Sequence, residues 1–150
     1  MEDKNFDCLK LENQMCFPLY ACSKEIVRMY KPHLDKLDLT YTQYIAMMVL
    51  WEKKELSVKA LGKCLFLDSG TLTPVLKKLE TKGYINRTRS ADDERSLNVS
   101  VTEAGVLLKE KAAEVPRKMS SCINLSPDEA LQLYTLLNKL MDNFRNDADQ

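Results

Sequence analysis

The chain has 150 residues, 45% of them hydrophobic and 29% charged, a balance typical of one globular domain rather than of a fibrous or disordered protein. Its 22 lysine and arginine residues equal its 22 aspartate and glutamate residues, so net charge alone neither indicates nor excludes a nucleic-acid partner. No apolar run approaches the roughly 20 residues that cross a bilayer, and the N-terminus does not resemble an export signal, so we expect a cytoplasmic protein without a membrane partner.

The first two predicted helices follow from apolar spacing. Residues 17–34 repeat apolar positions at helical intervals, and Pro18 fits the first turn, which places Cys16 at a helix N-terminus. We expect Pro32 to interrupt or end this helix. Residues 41–54 form a second helix that is apolar nearly all round, which predicts that it is buried.

The next two helices are short and close together. Ser57 is a suitable N-cap for the third, and a fourth runs to about Lys82 before Gly83. Pro74 leaves the start of the fourth helix open. Its apolar positions are Leu72, Val75, Leu76 and Leu79. This spacing directs Thr73, Lys77 and Glu80 to the opposite side.

A two-stranded hairpin follows, with strands at 84–89 and 96–101 around a polar turn. A helix from Thr102 should end near Pro116, and Ser126 with Pro127 opens the last helix with a capping box and a first-turn proline. One stripe of this last helix contains Leu133, Leu137, Leu140 and Phe144. The pattern predicts a mainly α fold of about six helices with a small β-hairpin, a winged helix-turn-helix.

The helix pair and the hairpin have the residues of a DNA-binding surface. Between Lys53 and Arg89 there are nine basic and three acidic residues, a local positive field in a neutral chain. In the fourth helix, small side chains suit close approach to base edges, and two lysines suit phosphates; these are Ser69, Thr71, Thr73, Lys77 and Lys78. The alternative is an ordinary solvated face on a scaffold.

The hairpin favours the DNA-binding interpretation, because it adds Arg87, Arg89 and Arg95 beside that helix. Arg95 at the tip suits a narrow minor groove, and Asp93 or its neighbour Asp92 is placed to orient the Arg95 guanidinium. We therefore expect double-stranded DNA as the partner.

Residues 92–105, Asp-Asp-Glu-Arg-Ser-Leu-Asn-Val-Ser-Val-Thr-Glu-Ala-Gly, resemble the wing signature of MarR-type repressors. Residues 67–74 and 16–20 further resemble the organic hydroperoxide resistance regulators within that family. The resemblance covers most of the chain and weakens after about Val115. It implies one domain over 1–150, with dimerisation helices at 1–40 and 103–145 and a winged helix-turn-helix at about 41–102. It also implies an intertwined homodimer on a pseudo-palindromic operator, from which an organic hydroperoxide releases it.

Cys16 is the candidate redox-sensing residue. Attack on a peroxide O–O bond requires a thiolate, and a helix N-terminus favours an anion. Tyr20, four residues on, can donate a hydrogen bond to the sulfur. The resemblance implies that Tyr30 and Tyr41 hydrogen-bond the thiolate across the dimer interface. From composition alone, a small buried cysteine among core tyrosines is the competing interpretation.

The fate of oxidised Cys16 stays open. Cys122 resembles in position the resolving cysteine of two-cysteine regulators, while a low-molecular-weight thiol or overoxidation are the alternatives. Cys22 faces another side of the helix and is a poor intrachain partner. The remaining thiols, Cys8 and Cys64, look incidental. One histidine, His33, is expected at the surface, and nothing in the sequence encodes a metal site or a cofactor.

Four other functions are consistent with parts of the pattern. A MarR-type repressor released by a small aromatic ligand, or a global thiol-based redox regulator, keeps the same fold. A thiol peroxidase usually needs alternating strands and helices, which this chain lacks, so we do not expect an enzyme. A winged-helix protein-interaction module would carry a less basic wing.

Overall fold

The computed structural model describes residues 6–148, with side chains as far as residue 145, so the predicted limits at residues 1 and 150 lie outside the described residues. Its α-helices are α1 Cys16–Leu34, α2 Tyr41–Lys53, α3 Val58–Leu65, α4 Ser69–Thr81, α5 Glu103–Ala112, α6 Val115–Ser120 and α7 Pro127–Ala148. Its strands are β1 Glu55–Ser57, β2 Ile85–Arg89 and β3 Leu97–Val101. Short 3-10 turns span Asp7–Leu9, Leu11–Asn13 and Asp35–Leu37. The described part is thus mainly helical with a small sheet, as predicted.

The sheet has three antiparallel strands in the order β1-β3-β2. The hairpin pairs Ile85 with Val101 and Arg89 with Leu97. The prediction of two strands was incomplete, because β1 pairs with the outer edge of β3. A strand of three residues is too short to show the alternation of apolar and polar positions on which the prediction relied.

Two prolines act differently from expectation. Pro32 lies inside α1, which continues to Leu34. Its missing N–H comes in the last turn, where few helical hydrogen bonds follow, so the cost of continuing is small. Pro116 lies in the first turn of α6 rather than at the end of a helix, where a proline is well tolerated. The helix predicted from Thr102 does end before Pro116, as α5, while α6 is a further helix that was not predicted, so the described residues hold seven α-helices instead of about six.

Helix α2 begins at a complete capping box. The Thr40 hydroxyl accepts a hydrogen bond from the Gln43 backbone N–H, and the Gln43 side-chain oxygen accepts one from the Thr40 backbone N–H. Together these bonds satisfy two donors that the first turn of a helix leaves free. The start of α2 is therefore fixed.

The core lies between α2, α3, α4 and the sheet. Its largest fully buried side chains are Leu34, Met47, Leu50, Leu61, Leu72, Leu76, Leu79, Ile85 and Val99. The Trp51 indole donates a hydrogen bond to the Gly105 carbonyl at 2.8 Å, which links α2 to α5. A side chain at Gly105 would clash with the Tyr84 carbonyl, so only glycine permits this close approach.

The chain divides into two compact units, one as far as Pro116 and the other from Arg117. The first contains α1 to α5 and the sheet, and the second contains α7. Helix α7 exposes large apolar side chains on its own surface, at Leu131, Leu133, Tyr134, Leu136 and Phe144. Among the described residues, no helix has the length and apolar character needed to cross a membrane.

Candidate functional site

Helix α4 presents a polar face outside the core. Its N-cap is Asp68, whose carboxylate accepts hydrogen bonds at 2.9 Å from the backbone N–H and from the hydroxyl of Thr71. These bonds hold the pKa of Asp68 below its usual value, the backbone bond more than the hydroxyl bond. The helix starts at Ser69 although Pro74 lies within it, and the Thr73 hydroxyl donates to the Ser69 carbonyl at 2.7 Å.

The predicted contact residues of α4 share this outer face. Ser69, Thr71, Lys77 and Lys78 are exposed, and Thr73 is half-buried. The buried side chains Leu72, Leu76 and Leu79 hold the opposite face against the core. The helix therefore presents small hydroxyls toward its N-terminus and lysines one to two turns later.

The tip of the hairpin is closed by hydrogen bonds of its own. The Ser90 backbone N–H donates to the Ser96 carbonyl at 2.8 Å. Asp93 was expected to orient the Arg95 guanidinium; instead its carboxylate accepts the Arg95 backbone N–H at 3.0 Å. Aspartate favours this local turn because its short side chain reaches a backbone donor two residues on. The side chains of Arg95 and Arg89 are left exposed.

Arg87, at the middle of β2, is bound to α4. Its guanidinium Nε and Nη2 lie 3.0 Å and 2.8 Å from Glu80 Oε2, and its backbone N–H donates to Glu80 Oε1 at 3.2 Å. The Arg87 side chain is only 19% exposed. Its hydrogen bonds lower the pKa of Glu80, which keeps that carboxylate charged. Sequence spacing turned Glu80 outward, whereas the structure uses it to join wing and helix.

Cys16 is the first residue of α1, as predicted, and its side chain is exposed. No side chain caps this end of the helix, since the N-cap residue, Met15, makes no such hydrogen bond. An open groove of about 540 Å³ is lined partly by Phe17 and Pro18, the two residues that follow Cys16. The thiol therefore lies at the positive end of a helix dipole, open to solvent.

The three tyrosines predicted for the redox site lie in two separate places. Tyr20 is 62% exposed, one turn after Cys16, with the Lys24 ammonium 5.5 Å from its ring centre. Tyr30 packs against Tyr41 with ring centres 5.0 Å apart. Tyr44, which lies in the second helix and was not predicted as a site residue, joins them at 5.9 Å from Tyr30.

Burial raises the pKa of all three clustered tyrosines, Tyr30, Tyr41 and Tyr44, above the ordinary value. At neutral pH their hydroxyl groups are therefore protonated hydrogen-bond donors. Cys16 and Tyr30 lie fourteen residues apart on one straight helix, which is a separation of about 21 Å. The cluster of one protomer is too far away to contact the thiol of the same protomer.

The remaining candidate residues are the other cysteines and the histidine. All five cysteines are free and exposed: Cys8, Cys16, Cys22, Cys64 and Cys122. The Cys122 thiol donates to the Lys118 carbonyl at 3.3 Å. His33, which was expected at the surface, is half-buried, and its Nδ1 atom is buried without a hydrogen-bond partner among the described residues. The described residues contain no cluster suited to hold a metal ion.

Three similarities bear on this arrangement. Residues 28–112 match the family described as "Transcriptional regulator SarA/Rot". The organic hydroperoxide resistance transcriptional regulator of Bacillus subtilis is 53% identical over 144 residues, which cover 93% of this chain and 97% of that protein. AbfR of Staphylococcus epidermidis, in a structure of its reduced form bound to DNA, is 32% identical with a TM-score of 0.77, covering 91% of this chain and 93% of that one.

AbfR has also been solved in an overoxidised form bound to DNA, with a TM-score of 0.74 and 34% identity over 89% of this chain and 94% of that one. The extent of these alignments confirms the predicted winged-helix fold for the chain as a whole.

Proposed function

Because this chain belongs to the organic hydroperoxide resistance regulators of the MarR family, we propose that it is a repressor that leaves its operator when an organic hydroperoxide oxidises Cys16. The observation that carries the proposal is the separation of Cys16 from the cluster of Tyr30, Tyr41 and Tyr44 in its own protomer. A thiol at an uncapped helix start, and a cluster of protonated hydroxyls about 21 Å away, form one site only when two protomers meet.

The chemistry at this site is a two-electron oxidation of sulfur. The Cys16 thiolate attacks the terminal peroxide oxygen, so that an S–O bond forms and the O–O bond breaks. The alkoxide that leaves takes a proton and departs as an alcohol, and Cys16 becomes a sulfenic acid. Hydrogen bonds donated by the hydroxyls of the partner's Tyr30 and Tyr41 would stabilise the thiolate before attack. Tyr20, in the same helix as Cys16, would add a further donor.

The sulfenic acid has two further routes. It can condense with a second thiol, so that an S–S bond forms and water leaves; Cys122 of the other protomer or a small thiol would fill this role. A second peroxide would instead give a sulfinic acid and another alcohol. Either product replaces a compact anion with a larger group, which alters what the site can accommodate.

We propose that dimerisation uses residues 1–40 and 103–145. Tyr20 of α1 and Met15 at its N-cap are exposed, and α7 separately exposes Leu133 and Phe144. Apolar side chains in such numbers on helix surfaces are typical of interfaces between subunits. Two winged helices held by one dimer fit a pseudo-palindromic operator, and such a regulator would act in the cytoplasm, where its operator lies.

On DNA, α4 is the helix for the major groove, and the hydroxyls of Ser69, Thr71 and Thr73 lie where bases can be contacted. The exposed ammonium groups of Lys77 and Lys78 suit phosphates, and Arg89 suits the backbone beside the wing. Arg95 is the side chain for the minor groove. Because Arg87 is hydrogen-bonded to Glu80, we assign Arg87 mainly to holding the wing against α4 and only secondarily to contacting DNA.

The test compares the parent with Cys16→Ser on a fluorescein-labelled palindromic duplex that the reduced protein selects from a random pool. After one equivalent of cumene hydroperoxide, the parent should bind about tenfold or more weakly by fluorescence anisotropy. Cys16→Ser should keep its affinity, and Cys22→Ser, which removes an exposed thiol from the same helix, should respond like the parent. Equal loss of binding by Cys16→Ser and the parent would contradict the proposal.

A further inference from the structure

The C-terminal end of α4 is attached to a distant part of the chain by Lys82. Its ammonium lies 3.2 Å from the Asp38 carboxylate and also donates to the Asp38 carbonyl. The same ammonium lies 3.4 Å from the side-chain oxygen of Gln43. The Lys82 side chain, at the C-cap of α4, is 25% exposed, whereas Lys77 and Lys78 within α4 are exposed at the surface. Lys82 is thus partly buried against the turn that precedes α2, although the Asp38 side chain itself is 85% exposed.

The three acceptors belong to the structure that starts α2. Asp38 has a left-handed backbone with φ of 53° and closes the turn after α1. Gln43 is only 2% exposed, and its side-chain oxygen also accepts the Thr40 backbone N–H at 3.1 Å. That amide oxygen is therefore shared between the N-cap of α2 and the end of α4. Tyr41, the first residue of α2, lies between the two capping residues.

The Lys82 bonds and the contact between Tyr30 and Tyr41 connect the tyrosine cluster to α4, the helix that we propose enters the major groove. Tyr41 contacts Tyr30 in the cluster, and the turn that precedes Tyr41 is held by Lys82. A displacement of the start of α2 moves Gln43 with the capping box and also affects Asp38, which lies two residues before Thr40 in the chain. The Lys82 ammonium has both as partners, so the end of α4 must follow or its bonds must break.

We propose that Lys82 is a positioning residue that transmits the state of the thiol site, through the start of α2, to helix α4. The proposal rests on the redox function proposed above. In the reduced dimer the clamp formed by Lys82, Asp38 and Gln43 holds α4 at the angle that fits the operator. When oxidation of Cys16 displaces Tyr41 of the facing protomer, the clamp moves α4 out of register with the major groove. Lys82 itself touches no DNA.

The experiment uses Lys82→Met, which keeps the aliphatic stem and removes the ammonium. The matched control is Lys36→Met, which removes an equal charge from the exposed turn beside Asp38. Affinity for the selected duplex is measured by anisotropy before and after oxidation with one equivalent of cumene hydroperoxide, and thermal melting verifies that each variant is folded. The readout is the ratio of oxidised to reduced dissociation constants, which a purely structural role would leave unchanged.

We expect Lys82→Met to lower that ratio by about tenfold, while its reduced affinity changes by less than about threefold. Lys36→Met should keep the parental ratio. Lys82→Arg, whose guanidinium can still reach the Asp38 carboxylate, should recover much of it. A parental ratio in folded Lys82→Met overturns the proposal, and so does an equal loss of affinity in both states.

A double-mutant cycle separates this proposal from the redox function. If oxidation leaves the parent's affinity unchanged, the redox proposal fails, and the coupling is then read from the reduced proteins alone. Tyr41→Phe and Lys82→Met should each change operator affinity by a measurable factor. The product of these two factors should differ by about threefold or more from the change measured for the double variant. Simple multiplication of the two factors would overturn the role of Lys82 whether or not Cys16 senses peroxide.

Discussion

The segment from α2 to β3 and the segment at the start of α1 differ in how much of their apolar surface is buried within one protomer. In the former, Leu61, Leu72 and Val99 are fully buried, and the wing is bonded to α4 through Glu80 and Arg87. In the latter, the only buried residue of α1 is its last, Leu34, and the apolar residue before Cys16 is 74% exposed. The segment that we propose binds DNA is closed within one protomer, whereas the segment that carries the thiol exposes apolar surface.

This difference indicates how sensing and DNA binding are divided. A thiol site assembled from two protomers can change its fit at the interface without unfolding the winged helix. Under our proposal, the change reaches α4 from the start of α2 through the Lys82 clamp. Three substitutions test this division between sensing and DNA binding.

The largest effect is expected from breaking the dimer through α7. Leu133 is 45% exposed, so Leu133→Asp should leave the fold of the protomer intact while it places a charge in the interface. Sedimentation velocity should show monomers, and affinity for the palindromic duplex should fall by about a hundredfold or more, because each half-site is then bound alone.

Thr135→Asp is the control, since it adds the same charge to a polar exposed position of α7. It should remain dimeric with parental affinity. A dimeric Leu133→Asp protein would show that the exposed stripe of α7 lies outside the interface.

The next effect concerns the wing tip. Arg95→Ala should lower operator affinity by about tenfold and make the dependence of log K on log salt concentration less steep by about one, because a cation leaves the groove. Its melting temperature should match the parent, since the exposed Arg95 side chain lies outside the core. An unchanged affinity would remove the tip from the DNA-binding surface.

The smallest effect concerns the base of the wing. Glu80→Gln weakens the tie to Arg87, so we expect a loss of operator affinity of about threefold with the salt dependence unchanged. A rise in affinity would mean that Glu80 restrains an arginine whose main task is to bind phosphate.

The same variant has a pH signature. The pKa of Glu80 is lowered in the fold, so its stabilising contribution is present above the unfolded value and is lost as pH falls through the lowered one. Glu80→Gln should therefore melt below the parent at pH 7, and the difference should shrink as the pH falls below the ordinary range of a glutamate. A difference independent of pH would assign the effect to packing.

The features that the sequence predicted well are local ones. At the start of α7, Ser126 and Glu129 form the expected capping box, with bonds of 2.8 Å and 3.3 Å between each side chain and the other's backbone N–H. Cys16 lies at the start of α1, as expected from Pro18, because a proline is best tolerated in the first turn of a helix. In both cases residues within four positions of each other determine the structure, so the pattern is visible in one stretch of sequence.

The features that were missed join distant residues. Lys82 was predicted only as the end of the fourth helix and as one of the basic residues of the positive region, yet its acceptors lie 44 and 39 residues away. Arg87 and Glu80 flank the Gly83 turn, and only the three-dimensional angle between helix and strand decides that they meet. No periodicity encodes such pairs, which is why the charge of a residue was predictable and its direction was not.

The measurement that tests the central claim most directly is a mixed dimer of Cys16→Ser with a chain that carries Tyr30→Phe and Tyr41→Phe. In this dimer the only Cys16 lies in the chain without the two hydroxyls, opposite a chain that keeps them. Trapping of the sulfenic acid with dimedone, followed by mass spectrometry, gives the rate of its formation with cumene hydroperoxide. A rate per thiol equal to the parent's is predicted for a site shared between protomers. A rate as slow as that of the doubly substituted homodimer would contradict it.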